Sequence, residues 1–407
     1  MKRLSKSAGS GGDIKCSADD FIVEEIQKDN VVLELGRTYS NIELGMDANP
    51  KGKFTVFVMQ KNCWNTTQAL KAIAKRCGRG FRSVGFAGTK DRVSVSTQLC
   101  SVFGATPEIL GSLHMKDLIV NGAWASDAGI SLGDLLGNRF TIVVRDPDDY
   151  DAVSSINDEL EGVFPNYFGE QRFGFRDNNV SVGTSILKGD FEAAVMEFLT
   201  GTKNEHNEAA IEARERLGKE RDFFEALDYF PEYLKYERSM LERLSQYPTD
   251  YTNALRKLPR QLLLMFVHSI EAQLFNAELE SRVAEGDIAP RGGDNACLTD
   301  RFGFPDINKV VTAKDADGKK CFGLGSIVGF ETGKLTDSET DMLEKLGLSK
   351  EQFKVKRMPE LSMKGSYRVL FAPYTGFSSF IEDSAIKMQF SLPAGSYATV
   401  LLNEFVS

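Results

Sequence analysis

The sequence predicts an α+β fold in which one discontinuous domain carries a largely helical insertion. Three observations lead there. Strand-like patterns with a few helices fill the stretch from about Phe21 to Arg145, and strand texture returns from Val369 to the end. Between Phe191 and about Glu285 the apolar period and the Leu, Glu, Arg and Ala content are those of helices. At 407 residues the chain is also too long for one ordinary core. The expected division is a flexible stretch over 1–12, a split domain over 13–176 and 363–407, and an insertion over 177–362.

Each element has a local reason. The run KFTVFVM, Lys53 to Met59, alternates with period two, which predicts a half-buried strand with Phe54, Val56 and Val58 on one face. Thr66 is the expected cap of a helix whose Leu70, Ile73, Ala74 and Cys77 share a stripe, and Gly78 stops it. Strands are expected over Val84 to Phe86, Val95 to Phe103 and Asn138 to Arg145, with a short helix opening at Pro107 and another over Val153 to Leu160. Near the end a helix over Ser338 to Leu346 precedes strands at Val369 to Ala372, Ile386 to Leu392 and Tyr397 to Phe405. The Gly and Ser content of the first dozen residues predicts flexibility there.

Composition narrows the function classes. Hydrophobic residues at 42% and charged residues at 26% are ordinary for a soluble globular protein. No stretch is long and apolar enough to span a bilayer and the first residues lack the apolar core of a signal peptide, so a cytoplasmic location is expected. The six cysteines form no CxxC pair and there are three histidines, which argues against a zinc-type metal centre and weakens imidazole-based mechanisms. Neither GxxxxGK[ST] nor GxGxxG occurs, so no nucleotide cofactor is expected. The net charge of −9 argues against nucleic acid as a partner, but screening makes local charge decisive, and one zone is densely basic: Lys71, Lys75, Arg76, Arg79 and Arg82 lead into Lys90 and Arg92. Smaller basic groups, such as Arg256, Lys257 and Arg260, are read as solvated helix faces.

The most informative stretch is FRSVGFAGTKDRVSVSTQ, Phe81 to Gln98. A short apolar run breaks at Gly88, and the loop lifts Lys90, Asp91 and Arg92 together before a β-branched, hydroxyl-rich run resumes the sheet. A carboxylate between two cations is held in its charged form, and an ionised carboxylate at the floor of a sheet is a candidate nucleophile. Turn chemistry is the alternative, since an Asp after Gly also bonds backbone amides and caps loops.

Four segments, GTKDRVSVSTQ, GNRFTIVVR from Gly137, PNYFGEQRFG from Pro165 and LPAGSYATVLLNEF from Leu392, taken in this order with ADDFIVEE at Ala18 to Glu25, resemble the TruD family of tRNA pseudouridine synthases, in its archaeal form, over nearly the whole chain. The resemblance implies a pseudouridine synthase-type catalytic domain, with a mixed, mainly antiparallel sheet flanked by helices, interrupted by a family-specific insertion. It implies that Asp91 is the catalytic aspartate, that Phe140 packs on the target uracil, that Asn138 organises the pocket, and that Lys15 is an active-site lysine. The plain alternatives are a core residue for Phe140, a turn former for Asn138 and a loop charge for Lys15. Lys90 and Arg92 are expected to hold phosphates. The implied partner is tRNA, with uridine 13 of the D arm as target, and the reaction needs no metal and no cofactor.

The chain departs from the family where Ser94 and Ser96 follow the KD pair, and where Glu271 and Ala272 replace a Gln-Ser pair. Two other readings remain at this point. One is an RNA-binding protein without catalysis on the same basic and aromatic surface. The other is a carboxylate-dependent hydrolase, for which Glu24, Glu25 and Glu170 are the candidates for a second acid.

Overall fold

A computed structural model describes residues 1–316 and 320–407. The chain divides into two compact units, one comprising Arg3–Phe164, Thr299–Pro305 and Ala372–Ser407, the other Met1–Lys2, Pro165–Leu298 and Asp306–Phe371. These boundaries fall about ten residues outside the limits of 177–362 that sequence texture suggests for an insertion.

The first unit is built on one sheet. Its N-terminal strands are β1 (Asp13–Ile14), β2 (Phe21–Ile26), β3 (Phe54–Asn62), β4 (Val84–Phe86), β5 (Val95–Phe103), β6 (Leu118–Ser126) and β7 (Gly137–Arg145). The hairpin Thr375–Glu382 and Ala385–Pro393 completes it, in the order Thr375–Glu382, Ala385–Pro393, β7, β2, β5, β3, β6. β1 adds to β7 and β4 to β5. Of the paired strands only β2 and β5 run parallel; the rest are antiparallel. The fold is thus α+β with a mixed, mainly antiparallel sheet, as expected.

β3 corrects the half-buried reading. Val56 and Val58 pack with Leu33, Tyr39, Leu44 and Trp124 on one face, while Phe57 and Met59 pack with Ala69, Leu70 and Ile73 on the other. The helix α1 (Thr66–Arg76) covers one side, and the irregular stretch around Leu33 to Leu44 covers the second. Alternation cannot reveal a lid made of loop. Each fully buried Val or Phe here contributes about 1.5–3 kcal/mol.

Other differences are as instructive. Asn65, not Thr66, caps α1, accepting from the amides of Thr67 and Gln68, which leaves the Thr66 hydroxyl for other work. Tyr397 to Phe405, read as a strand, is the helix Ala398–Val406. Ala398, Leu401, Leu402 and Phe405 are buried at helical spacing, and that stripe prevails over the β-branched content. The Val369 to Ala372 strand is two, Ser366–Val369 and Phe371–Pro373.

The expected flexible N-terminus is tied down along this final helix. Ser5 donates its amide and hydroxyl to Glu404 at 2.9 and 2.8 Å, and Ser10 N donates to the Phe405 carbonyl at 2.8 Å. Hydrogen bonding of the backbone outweighs the entropy of Gly and Ser.

In the other unit the helices Phe191–Thr200, Glu208–Glu220, Lys235–Gln246 and the long Arg260–Glu285 share one apolar core. Beside them lies a four-stranded sheet in the order Pro305–Thr312, Asn295–Thr299, Cys321–Ile327, Ser366–Val369. Among the described residues no helix is long and apolar enough to cross a membrane, and no three His, Cys, Asp or Glu side chains cluster to hold a metal ion.

Candidate active site

The loop between β4 and β5 is fixed from below before any functional group is considered. Lys90 N donates to Thr66 Oγ1 at 3.0 Å, and Gln98 Nε2 donates to the Gly88 carbonyl at 3.0 Å. The Asp91 carbonyl accepts from Ser94 Oγ at 2.8 Å and from Lys61 Nζ at 2.6 Å. Four hydrogen bonds thus hold the backbone, and the Asp91 carboxylate projects from a rigid base. Its side chain is 40% exposed.

Lys15 meets that carboxylate, Nζ to Oδ2, at 2.6 Å. It does so from a left-handed backbone conformation, φ 61°, which costs a residue with a Cβ on the order of 1 kcal/mol or more. The same ammonium stands 4.1 Å from the centre of the Phe21 ring, a cation over a π face. Phe21 in turn packs edge-on against Phe140 at 6.1 Å, and Phe140 stacks on Phe390 at 5.6 Å. Lys15, Asp91 and Phe140 therefore belong to one contiguous cluster, joined through Phe21.

Phe140 itself is only 7% exposed, and sits in register between Val23 of β2 and Phe390. The core reading of this ring is realised, and with one face taken by Phe390 what it can offer a base is its remaining edge. Asn138, one step along the same face of β7, lies between Glu25 and Leu392. Its Oδ1 is buried with no hydrogen-bond partner, an acceptor that a ligand's N–H or O–H can satisfy.

Lys90 corrects an expectation. Its side chain is 4% exposed and pairs at 2.7 Å with a fully buried Glu25, whose other oxygen accepts from Leu99 N and Gln27 Nε2. A lysine turned inward onto a buried carboxylate cannot grip a phosphate. Arg92 is exposed, as are Lys71, Lys75, Arg76, Arg79 and Arg82 along α1 and the turn after it. Among the described residues none of these six cations lies within ion-pair distance of a carboxylate, so the whole group faces water unneutralised. By contrast, Arg256 is paired with Glu360 at 2.8 Å, in keeping with a structural role.

One participant escaped sequence reading. Lys61 has no exposure at all, and burial pushes its pKa down to about 8, with Asp91 opposing the shift and Lys90 adding to it. A lysine two residues past an apolar run on the sheet's buried side is the only hint the sequence offers. Glu25, weighed in the sequence as a second acid for a hydrolase, is instead the buried partner of Lys90. The other carboxylates considered for a hydrolase are occupied or elsewhere: Glu24 binds Arg139 at 2.7 Å, and Glu170 belongs to the other compact unit. The PNYFGEQRFG segment lies in that other unit as well.

Comparison with known proteins finds relatives along almost the whole chain. A sequence model of the family described as tRNA pseudouridine synthase D (TruD) matches residues 2–405. A Methanococcoides burtonii protein named probable tRNA pseudouridine synthase D is 32% identical over 432 residues, covering 99% of this chain and 94% of that protein. A Methanopyrus kandleri protein of the same name is 35% identical over 384 residues, covering 92% and 90%. A crystal structure from Methanosarcina mazei, described as a TruD protein, superposes with a TM-score of 0.78 at 29% identity, covering 100% of this chain and 96% of that one. With a match spanning almost every residue and an exposed aspartate braced on a buried lysine in the GTKD loop, the chain belongs to the TruD family.

Proposed function

We propose that this protein is an isomerase that converts a uridine of tRNA to pseudouridine, at position 13 in the D arm, with Asp91 acting on the ribose. The observation that carries this reading is the Asp91 carboxylate itself, half-exposed, paired with Lys15 and anchored at its backbone by a buried ammonium. The reaction breaks the N1–C1′ bond, turns the uracil while it is bound, and forms C5–C1′. The C5 hydrogen leaves as a proton and N1 gains one, so atoms and charge balance without any outside group.

Development of positive charge at C1′ is favoured beside an anionic side chain, as in glycoside hydrolysis. Asp91 either bonds to C1′ or takes the C2′ proton in a glycal route. Lys15 orients the carboxylate and, bridging to Phe21, places an aromatic wall beside it. Eversion of the base costs a few kcal/mol, part of which contact with the Phe21 and Phe140 rings returns. The buried oxygen of Asn138 is suited to the uracil N3–H. Arg92 and the cations of α1 contact phosphates and set register. Such a protein works in the cytoplasm.

A binding protein without catalysis would gain nothing from a half-exposed carboxylate facing an anionic polymer, which favours the enzyme. The direct test is to incubate the protein with unmodified tRNA and map pseudouridine. Product at position 13 without added metal or cofactor is expected; tRNA bound but unmodified would leave the binding-protein reading in its place.

A further inference from the structure

The compact unit that holds the long helix contains a cavity of about 350 Å³ whose lining includes none of the Asp91 loop residues, and its walls are chemically specific. Phe168, Arg172, His268, Glu271, Lys364 and Ser366 line it. We infer that this cavity binds one unstacked guanine nucleotide of the RNA, its base edge on Glu271, its ring beside Phe168 and its phosphate on Lys364. The inference rests on the reading of tRNA as the substrate.

The geometry is that of a prepared site. Glu271 is a carboxylate with a side chain only 5% exposed, and it is oriented by His268, whose Nδ1 donates to Oε2 at 2.6 Å. Oε1 makes no hydrogen bond among the described residues. A buried carboxylate that opens on a cavity accepts N–H groups, and guanine alone among the bases offers two adjacent ones, N1–H and N2–H, on its Watson–Crick edge. Adenine offers an acceptor at N1, which such a carboxylate repels.

Phe168 is rigidly presented. Asn276 clasps its peptide group, accepting from Phe168 N at 2.9 Å and donating to Phe168 O at 3.0 Å. Phe275 meets its ring edge-on at 5.5 Å, and the guanidinium groups of Arg172 and Arg368 lie 5.3 and 4.3 Å from its centre. An aromatic ring fixed in this way is an apolar wall that loses little entropy on binding. Lys364 lies two residues before the strand Ser366–Val369, and among the described residues its ammonium is paired only with the exposed Glu331, at 3.4 Å. Such a pair is worth little and is readily exchanged for a phosphate.

The test uses the full chain and two probes, 5′-GMP and 5′-AMP, in equilibrium titration, with unmodified tRNA affinity measured in parallel. Expected are saturable GMP binding, AMP weaker by about tenfold, and loss of that preference in Glu271→Gln, with tRNA binding weakened by about tenfold as well. Equal binding of GMP and AMP by the wild type, no saturable GMP binding, or a Glu271→Gln protein that binds GMP and tRNA as the wild type does would each overturn the site. If Glu271→Gln does not fold, the wild-type GMP/AMP ratio and Lys364→Ala, expected to weaken GMP, decide it. None of these titrations requires pseudouridine formation, so a failure of the Asp91 reading would be seen separately.

Discussion

Lys90 and Asp91 are neighbours in one loop, and each forms a lysine–carboxylate pair, yet the two pairs differ in everything but length. Lys90 meets Glu25 at 2.7 Å with the side chains 4% and 0% exposed; Lys15 meets Asp91 at 2.6 Å with the side chains 22% and 40% exposed. The first pair has had its water replaced by fixed partners, Leu99 N and Gln27 Nε2 among them, and serves as a post on which the loop is built. The second keeps an open side. A side chain that reaches a ligand must retain some exposure, and one that fixes a loop must give it up, so solvent access separates chemistry from scaffold where distance does not.

The largest effect expected from breaking this comparison is on Asp91. Asp91→Asn keeps the shape and removes the charge, and pseudouridine formation should fall at least about a thousandfold, ~4 kcal/mol of barrier. tRNA affinity should stay within about tenfold. Turnover near the wild-type rate would remove Asp91 from the chemistry.

Breaking the inner pair should act on stability instead. Lys90→Met leaves Glu25 buried and uncompensated, and a loss of about 3–5 kcal/mol is expected in denaturant unfolding. Lys15→Met should cost no more than about 1 kcal/mol of stability, since its pair is partly open, while slowing the single-turnover rate about tenfold or more. Equal destabilisation by the two variants would erase the distinction drawn above.

The smallest effect concerns Lys61 and is read in pH. Its folded pKa of about 8 lies below the ordinary 10.5. Below pH 8 both folded and unfolded chains hold the proton, and the cost of burying the charge is present in full. Between 8 and 10.5 the unfolded chain binds a proton that the folded one has released, so this group makes stability rise with pH across that window. The ammonium that braces the Asp91 carbonyl disappears over the same range, and the single-turnover rate should decline with a midpoint near pH 8. A rate that is flat to pH 9.5, which is about 1.5 units higher, would show that the charge on Lys61 is not needed.

Much of this architecture was legible because it is local. The strand at Val95–Phe103 and the helix at Pro107 follow from runs and breakers a few residues long, and the GTKD loop announces itself by its charges. The misreadings share a cause. Tyr397 to Phe405 is rich in residues that suit a strand, and only packing against its neighbours selects the helical stripe. β3 looked half-buried because its cover, from Leu33 to Leu44, has no period of its own. Residues 3–12 have the composition of a tail, yet Glu404 and the backbone near Phe405, some four hundred positions away in sequence, hold them.

The sequence by itself determined many of the strands and helices, the family, and an aspartate between two cations as a candidate nucleophile. Only the tertiary structure decided which of those cations turns inward, which lysine comes from position 15 to meet the carboxylate, and that Lys61 stands beneath it. Patterns along a chain record the preference of each residue for water or for its near neighbours. Which buried charge finds which partner depends on strands brought together from residues 15, 25, 61 and 91, and that pairing is a property of the fold.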